Sequence, residues 1–338
     1  MGLPIDLKRQ VEQLSTSNIF LCPEWFDLLS RHCVQQPDHA QIYHYGIGEE
    51  SAILPVILQG KRRGYARSLT NFYTPFFYPL FSSDRALAML CEQMFIERGI
   101  EKLDLEPLPG GARLEALEQA LGQVGYAVFP YFRFGNWFMH TKGRSFEDYY
   151  RDRSGQLKNT IKRKRQKLTH RYGFKHQIFT DEADQEAAKR VYWQVYNKSW
   201  KQKEPFPAFI SGLIDLAAAK GWMRLAVLYA GDEPIAVQLW LVAGGVASIY
   251  KLAYDERFRE FSPGSVLSYE MFRHVIDHDR VTEIDYLVGD EPYKKDWMEA
   301  RRERWGLVAF NQGTLMGRSL AAIERIKRVL RPVRASNP

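Results

Sequence analysis

Three groups of residues in this chain have types and spacings that could do chemistry. The first centres on Asp285, in the run Glu283-Ile-Asp-Tyr-Leu-Val-Gly-Asp-Glu-Pro-Tyr-Lys-Lys-Asp-Trp297. A carboxylate on an apolar strand is partly stripped of water, which can tune its proton affinity toward that of a general base. The loop after it offers Tyr293, Lys294 and Trp297: a phenol, an ammonium and an indole that could meet a substrate. The second group is Ser262-Pro-Gly-Ser-Val266, at the start of a stretch with helical periodicity. A glycine lets backbone N–H groups approach an anion, and the helix behind it presents its positive end. Ser262, Gly264, Ser265 and Val266 would face a pyrophosphate, although the same residues also make a plain turn and cap. The third group is a basic belt. Residues 151–175 hold ten bases, among them Lys158, Lys162, Arg163 and Arg165, against a single acid, Asp152.

Further polar candidates lie on the strands before these groups. Tyr250 and Tyr254 could hand a proton to a leaving group, and Gln238 could present its amide to a substrate. Each candidate has a plain structural counterpart. Asp285 could cap the next turn, Lys294 could be a surface lysine, and Tyr293 and Trp297 could pack their loop. Tyr250 and Tyr254 could be ordinary strand residues, and Gln238 a satisfied interior amide. The eight histidines form no His-Glu-x-x-His motif, so no metal is expected. Neither a Gly-x-Ser-x-Gly elbow nor a Walker loop occurs, which disfavours serine-hydrolase and P-loop chemistry.

Elements of α/β type must position these residues. The first section predicts a helix at 23–30, strands at 41–46, 52–59 and 65–69, and an aromatic loop at 71–80. A helix at 85–98, a strand at 102–105, a helix at 112–122 and a long aromatic strand at 126–139 follow. The belt reads as a helix over 155–171, with Leu157, Ile161, Lys164 and Leu168 on one stripe and cations outward. Helices at 184–200 and 207–220 precede three strands at 223–230, 233–243 and 246–253, joined by Gly-Asp and Gly-Gly turns. A helix at 265–277 and strands at 282–287 and 306–310 complete the order.

The chain has 338 residues, 45% hydrophobic and 26% charged, which suits about two globular domains and no extended disorder. Its net charge of +7 is local: the belt alone carries +9 and everything else −2. Such a belt favours an anionic partner. Cys22, Cys33 and Cys91 are odd in number and lack metal spacing, as expected for thiols in a reducing compartment. No apolar run is long enough to span a bilayer, and the start has no secretory pattern, so the expected setting is cytoplasmic.

The order helix, helix, strand, strand, strand, glycine loop, helix, strand resembles that of GNAT-type acetyltransferases. Four stretches are similar to the FemAB-like branch of that superfamily, which is associated with polysaccharide biosynthesis and the cell envelope. They are Leu157-Lys-Asn-Thr-Ile-Lys-Arg-Lys-Arg165, Leu225-Ala-Val-Leu-Tyr-Ala-Gly-Asp-Glu-Pro-Ile-Ala-Val-Gln238, Ser262-Pro-Gly-Ser-Val-Leu267 and Asp285 to Trp297. The last is the most specific, and the resemblance covers residues 145–310. Pro23-Glu-Trp-Phe26 and Leu54-Pro-Val56 also look like the branch's first half.

The resemblance implies an α/β fold of tandem GNAT-like lobes, with mixed sheets flanked by helices. Residues 1–140 would form a degenerate lobe, 141–180 a basic connecting helix, 181–315 the acyltransferase lobe and 316–338 a basic helix and tail. It implies an N-acyltransferase that moves an acyl group from acetyl-CoA or another acyl-CoA to an amine acceptor, a small molecule or an envelope component. Asp285 would help to deprotonate the amine, and Tyr250 or Tyr254 would protonate the leaving thiolate. Ser262, Gly264, Ser265 and Val266 would hold the donor phosphates, and Gln238, Tyr293, Lys294 and Trp297 the substrate. Lys158, Lys162, Arg163 and Arg165 would attract an anionic acceptor or an anionic membrane surface, giving peripheral contact at the inner membrane. Better-known relatives use aminoacyl-tRNA, but no long heptad insertion of the kind that holds tRNA stands here, so tRNA is the less expected partner. Glu260-Phe-Ser-Pro-Gly-Ser265 replaces the usual Arg/Gln-x-x-Gly-x-Gly/Ala loop, which leaves open a non-catalytic binding module.

Overall fold

The structure, a computed structural model, describes residues 5–15, 18–62, 64–97 and 100–330. In chain order its elements begin with helices α1 (Ile5–Leu14) and α2 (Pro23–His32) and strands β1 (His39–Ile47), β2 (Glu50–Leu58), β3 (Tyr65–Ser68) and β4 (Leu80–Phe81). Next come α3 (Asp84–Glu97), β5 (Lys102–Pro109), α4 (Ala112–Gln123), β6 (Tyr126–His140), α5 (Phe146–Arg151) and α6 (Gly155–Tyr172). They are followed by β7 (Lys175–Phe179), α7 (Gln185–Tyr196), α8 (Pro207–Ala219), β8 (Met223–Ala230), β9 (Glu233–Ala243) and β10 (Val246–Tyr254). The chain closes with α9 (Pro263–Arg273), β11 (Glu283–Asp285), α10 (Pro292–Lys295), β12 (Ala300–Asn311) and α11 (Leu315–Leu330).

Two compact units result: Met1–Phe134 with Glu303–Pro338, and Gly135–Arg302. In the first, β1, β2, β3, β5 and β12 are successive neighbours, antiparallel except for the parallel pair β3 and β5. In the second, the end of β6 pairs antiparallel with β11, β11 parallel with β10, and β10, β9, β8 and β7 continue antiparallel. Each unit is thus a mixed sheet flanked by helices. The boundary differs from the expected one at the C-terminal side, because β12 and α11 belong to the first unit. Leu307, Val308, Ala309 and Phe310 of β12 pair with Leu105, Asp104, Leu103 and Lys102 of β5, and Val308 and Phe310 pack on Ala321 of α11.

Local chemistry explains the elements of the second unit. Ser154 caps α6 by accepting from the Leu157 N–H, and Gly173, at φ 81°, ends it. Leu157, Ile161 and Leu168 are buried, as their spacing predicts. Nearly every residue of β8 and β9 is buried, the mark of strands covered on both faces. One face is covered by α9, whose Val266, Leu267, Met271 and Phe272 are fully buried. All three cysteines are free. Burial pushes Cys22 and Cys91 up to about 12 and Cys33 up to about 11, so they are unreactive thiols. Among the described residues, no helix is long and apolar enough to cross a membrane.

Candidate functional site

The second unit gathers its chemistry where two parallel strands part. β10 pairs with β11 only over Val246–Ser248 and Glu283–Asp285, then runs on alone to Tyr254 on that side. Its register against β9 slips between Ile249 and Lys251, which makes Tyr250 a bulge residue. Bulges re-aim side chains and recur beside active sites. From the bulge to Tyr254 is about 13 Å of strand. The chain then turns through Ser262, a serine held at φ 46°, into α9. A left-handed serine costs on the order of 1 kcal/mol, and such strain clusters at functional positions.

At the head of α9, Pro263 has no N–H, and the first-turn N–H groups of Gly264 and Ser265 lie at the positive helix end. A Cβ on Gly264 would meet only Tyr254, at 3.7 Å, so the approach to these groups is open. Val266 departs from its expected role. Its side chain is fully buried and its N–H donates to the Ser262 carbonyl at 3.1 Å, so it has nothing to offer a phosphate. Tyr254 lies against Trp200, ring centroids 4.4 Å apart, and Tyr250 is half-buried.

The motif after β11 serves the fold. Asp285 is buried, and its Oδ1 accepts from Asn136 Nδ2 and from the Leu287 N–H, both at 2.6 Å. Its Oδ2 takes the Arg302 guanidinium, which also reaches Glu283 at 2.7 Å. With both oxygens engaged, Asp285 anchors β11 and holds Leu287 at φ 57°, in place of the base expected from sequence. Lys294 is likewise buried. Its ammonium donates to the Val288 carbonyl and pairs with Glu291 at 2.8 Å, so it closes its own loop and does not face a phosphate. Trp297 is buried and stacks on Phe272 at 4.7 Å, and its carbonyl accepts from the Tyr149 hydroxyl at 2.7 Å. Tyr293 remains half-exposed against Tyr286, with its hydroxyl raised to about 12 by burial. Gln238 is a satisfied interior amide: Nε2 donates to the Gly264 carbonyl and to Ser268, both at 2.9 Å, and Oε1 accepts from Trp240. It ties β9 to the head of α9 and cannot also contact a substrate.

The belt divides in two. Arg165, expected outward, turns inward to pair with the buried Glu270 at 3.1 Å and lies over Phe174 at 4.3 Å. Lys164, Lys167 and Arg171 converge on Glu260, and Lys158 donates to the Arg151 carbonyl at 2.7 Å. Lys162 and Arg163 stay exposed, beside Gln156, Asn159, Thr160 and Gln166.

The structure also assembles a cluster that sequence reasoning missed. Lys251, the residue after the bulge, donates to both oxygens of Glu204 at 3.2 Å, and the Glu204 carboxylate is only 3% exposed. The Tyr196 hydroxyl donates to the Gln202 carbonyl at 3.2 Å, and burial, with Glu204 beside it, raises its proton affinity. Ser199, in the same loop, bridges to Asp255, which fastens the segment 197–206 to the end of β10. Lys201 lies in this loop, and its ammonium is depressed to about 8. Burial is the main cause and the Lys251 charge the second, with Glu204 and Glu291 opposing. Lys251 is depressed too, by burial, although Glu204 opposes the shift. The cluster therefore holds a lysine that is partly neutral near physiological pH. The available signal was a lone lysine inside the otherwise apolar run Ile249-Tyr-Lys-Leu-Ala253.

Residues 155–295 match the family model of the acetyltransferase (GNAT) domain. Among curated proteins none matches the sequence. The fold is similar to that of FemX, at TM-score 0.63 and 10% identity, over 96% of this chain and 98% of that one. It is also similar to a conserved protein of unknown function from Bacteroides thetaiotaomicron, at TM-score 0.60 and 9% identity over 92% and 99% of the two chains. A third similar structure is the C-terminal domain of a protein named as a lysylphosphatidylglycerol synthetase from Agrobacterium fabrum, at TM-score 0.56 and 11% identity over 96% of both. The segment 155–295, which carries the parted strands, the α9 head and the lysine cluster, thus matches the GNAT acetyltransferase domain, within a chain whose fold is similar to that of FemX.

Proposed function

We propose that the second unit is an N-acyltransferase that moves an acyl group from a coenzyme A thioester to an amine. The parting of β10 from β11, with the head of α9 beyond it, carries this reading. The pantetheine arm lies along β10 past the bulge, and the pyrophosphate meets Ser262 and the N–H groups of Gly264 and Ser265. The acceptor enters from the side of the 197–206 loop. Its nitrogen attacks the thioester carbonyl, the C–S bond breaks, and the thiolate leaves. Lys201, neutral in part of the population, takes the proton from the attacking nitrogen. Tyr250, at the bulge, supplies a proton to the thiolate. Positioning and one proton transfer provide most of the acceleration in such a reaction.

Calorimetry with acetyl-CoA tests this directly. Binding is expected in the wild type and strong loss in Gly264→Asp, whose carboxylate would repel the pyrophosphate without a steric clash. Equal binding by both proteins, or none by the wild type, overturns the assignment of the donor. Turnover with a charged tRNA in place of acyl-CoA would redirect the donor to aminoacyl-tRNA.

A further inference from the structure

The helix α11 presents its apolar side to solvent. Leu315, Ala322 and Val329 form one row, seven residues apart, and Met316, Ile323 and Leu330 form the next, with Ile326 between them. Leu315 is 79% exposed, Ile326 59%, Val329 84% and Leu330 74%. The inner side is made of small residues: Gly317 and Ala321 are buried against the sheet, with Leu320 beside them. A Cβ on Gly317 would lie 1.9 Å from the Asn311 carbonyl oxygen, so the inner side is fitted closely to the protein. This is the reverse of an ordinary surface helix, which buries its long apolar side chains.

The charges around that face have one sign. Arg318 and Arg325 border the first row and Lys327 the second. The helix's single acid, Glu324, is half-buried and already paired with Arg328 at 3.1 Å, while Arg328 also donates to the Pro130 carbonyl at 2.8 Å. Alongside, a cleft of about 1190 Å³ is lined by Phe132, Trp305, Ile323, Arg62 and Lys327, and its two acids, Asp104 and Glu324, are paired with Lys102 and Arg328. An apolar stripe with basic edges suits the boundary between acyl chains and anionic headgroups. It suits a second copy of itself less well, because the bordering arginines would face one another without acids.

We infer that the outward face of α11 seats on an anionic lipid surface, with its apolar rows in the acyl boundary and Arg318, Arg325 and Lys327 at the headgroups. The test is co-sedimentation of the full chain with vesicles of phosphatidylcholine alone and of equal parts phosphatidylcholine and phosphatidylglycerol. Wild type should bind the anionic vesicles at least tenfold more strongly. The triple variant Ile326→Ser, Val329→Ser, Leu330→Ser and the double variant Arg318→Gln, Arg325→Gln should each lose binding at least tenfold. These side chains are exposed, and an unchanged near-ultraviolet dichroism spectrum would confirm that the fold is kept. Lys162→Glu with Arg163→Glu should leave vesicle binding intact. If that pair abolishes binding while the α11 variants do not, the contact belongs to α6 and the inference falls. It falls equally if wild type ignores both vesicles, or if sedimentation in solution shows a dimer that only the serine variant breaks.

Discussion

Replacing Arg302 with methionine separates an anchoring Asp285 from a catalytic one. In the wild type the buried Asp285 carboxylate has three donors, two neutral and one charged, and Arg302 is the charged one. Arg302→Met leaves that carboxylate buried with only Asn136 and the Leu287 N–H, and takes the guanidinium away from Asn136 Oδ1 and Glu283 as well. Breaking a buried pair from one side costs about 3–5 kcal/mol. Asp285→Asn is milder. It removes one charge-assisted hydrogen bond of about 1.5–3 kcal/mol, and Arg302 keeps Glu283. The double variant should therefore be more stable than the two single losses added together, by about 2 kcal/mol of coupling. Urea denaturation followed by near-ultraviolet dichroism reads all four proteins. The anchoring role is refuted if Asp285→Asn melts like the wild type while its acyl transfer collapses.

Lys201→Met should abolish the limb of the transfer rate that rises with pH near 8, with donor binding unchanged. The same substitution has a stability signature. Because folding depresses Lys201 from 10.5 to about 8, the unfolded chain binds the extra proton between those values, and stability rises with pH across that window. Lys201→Met should flatten the rise in thermal melts taken from pH 7 to 10. Gln238→Leu should destabilise by about 2–4 kcal/mol, since the Trp240 N–H loses its acceptor inside the core; a melt within about 0.5 kcal/mol of wild type would contradict the interior role. Lys162→Glu with Arg163→Glu should change stability by less than about 0.5 kcal/mol. Arg165→Glu should cost about 3 kcal/mol or more, because Glu270 is fully buried beside it. Equal melts for these two variants would contradict the division of the belt.

The fold was legible where a pattern is local. The apolar stripe of α6, the strand runs β8 to β10 and their glycine turns all stand at their expected places. The site was legible only in part. The Ser262–Ser265 loop opens α9 as its composition predicts, but the direction of a side chain is set by what folds against it. Lys294 curls onto the carbonyls of its own loop, Arg165 finds a buried glutamate more than a hundred residues away, and Asp285 meets Asn136 from β6. Lys201, Glu204 and Lys251 come from a loop and a strand about fifty residues apart in sequence, and no spacing rule joins them. The placement of 303–330 escaped for the same reason, because strand pairing with β5 depends on nothing inside the segment itself.

That placement affects the order in which the protein can be made. The second unit is one uninterrupted stretch, Gly135–Arg302, whereas the first is made of two pieces, one on either side of it in the chain. On the ribosome, the residues up to Phe134 must wait for β12 before β5 gains its antiparallel neighbour, while the second unit has all its residues by then. Exposed strand edges during that interval are sites where nascent chains aggregate. A stop codon shortly after Arg302 would spare every residue of the lysine cluster and the α9 head, yet leave β5 of the first unit without its partner β12.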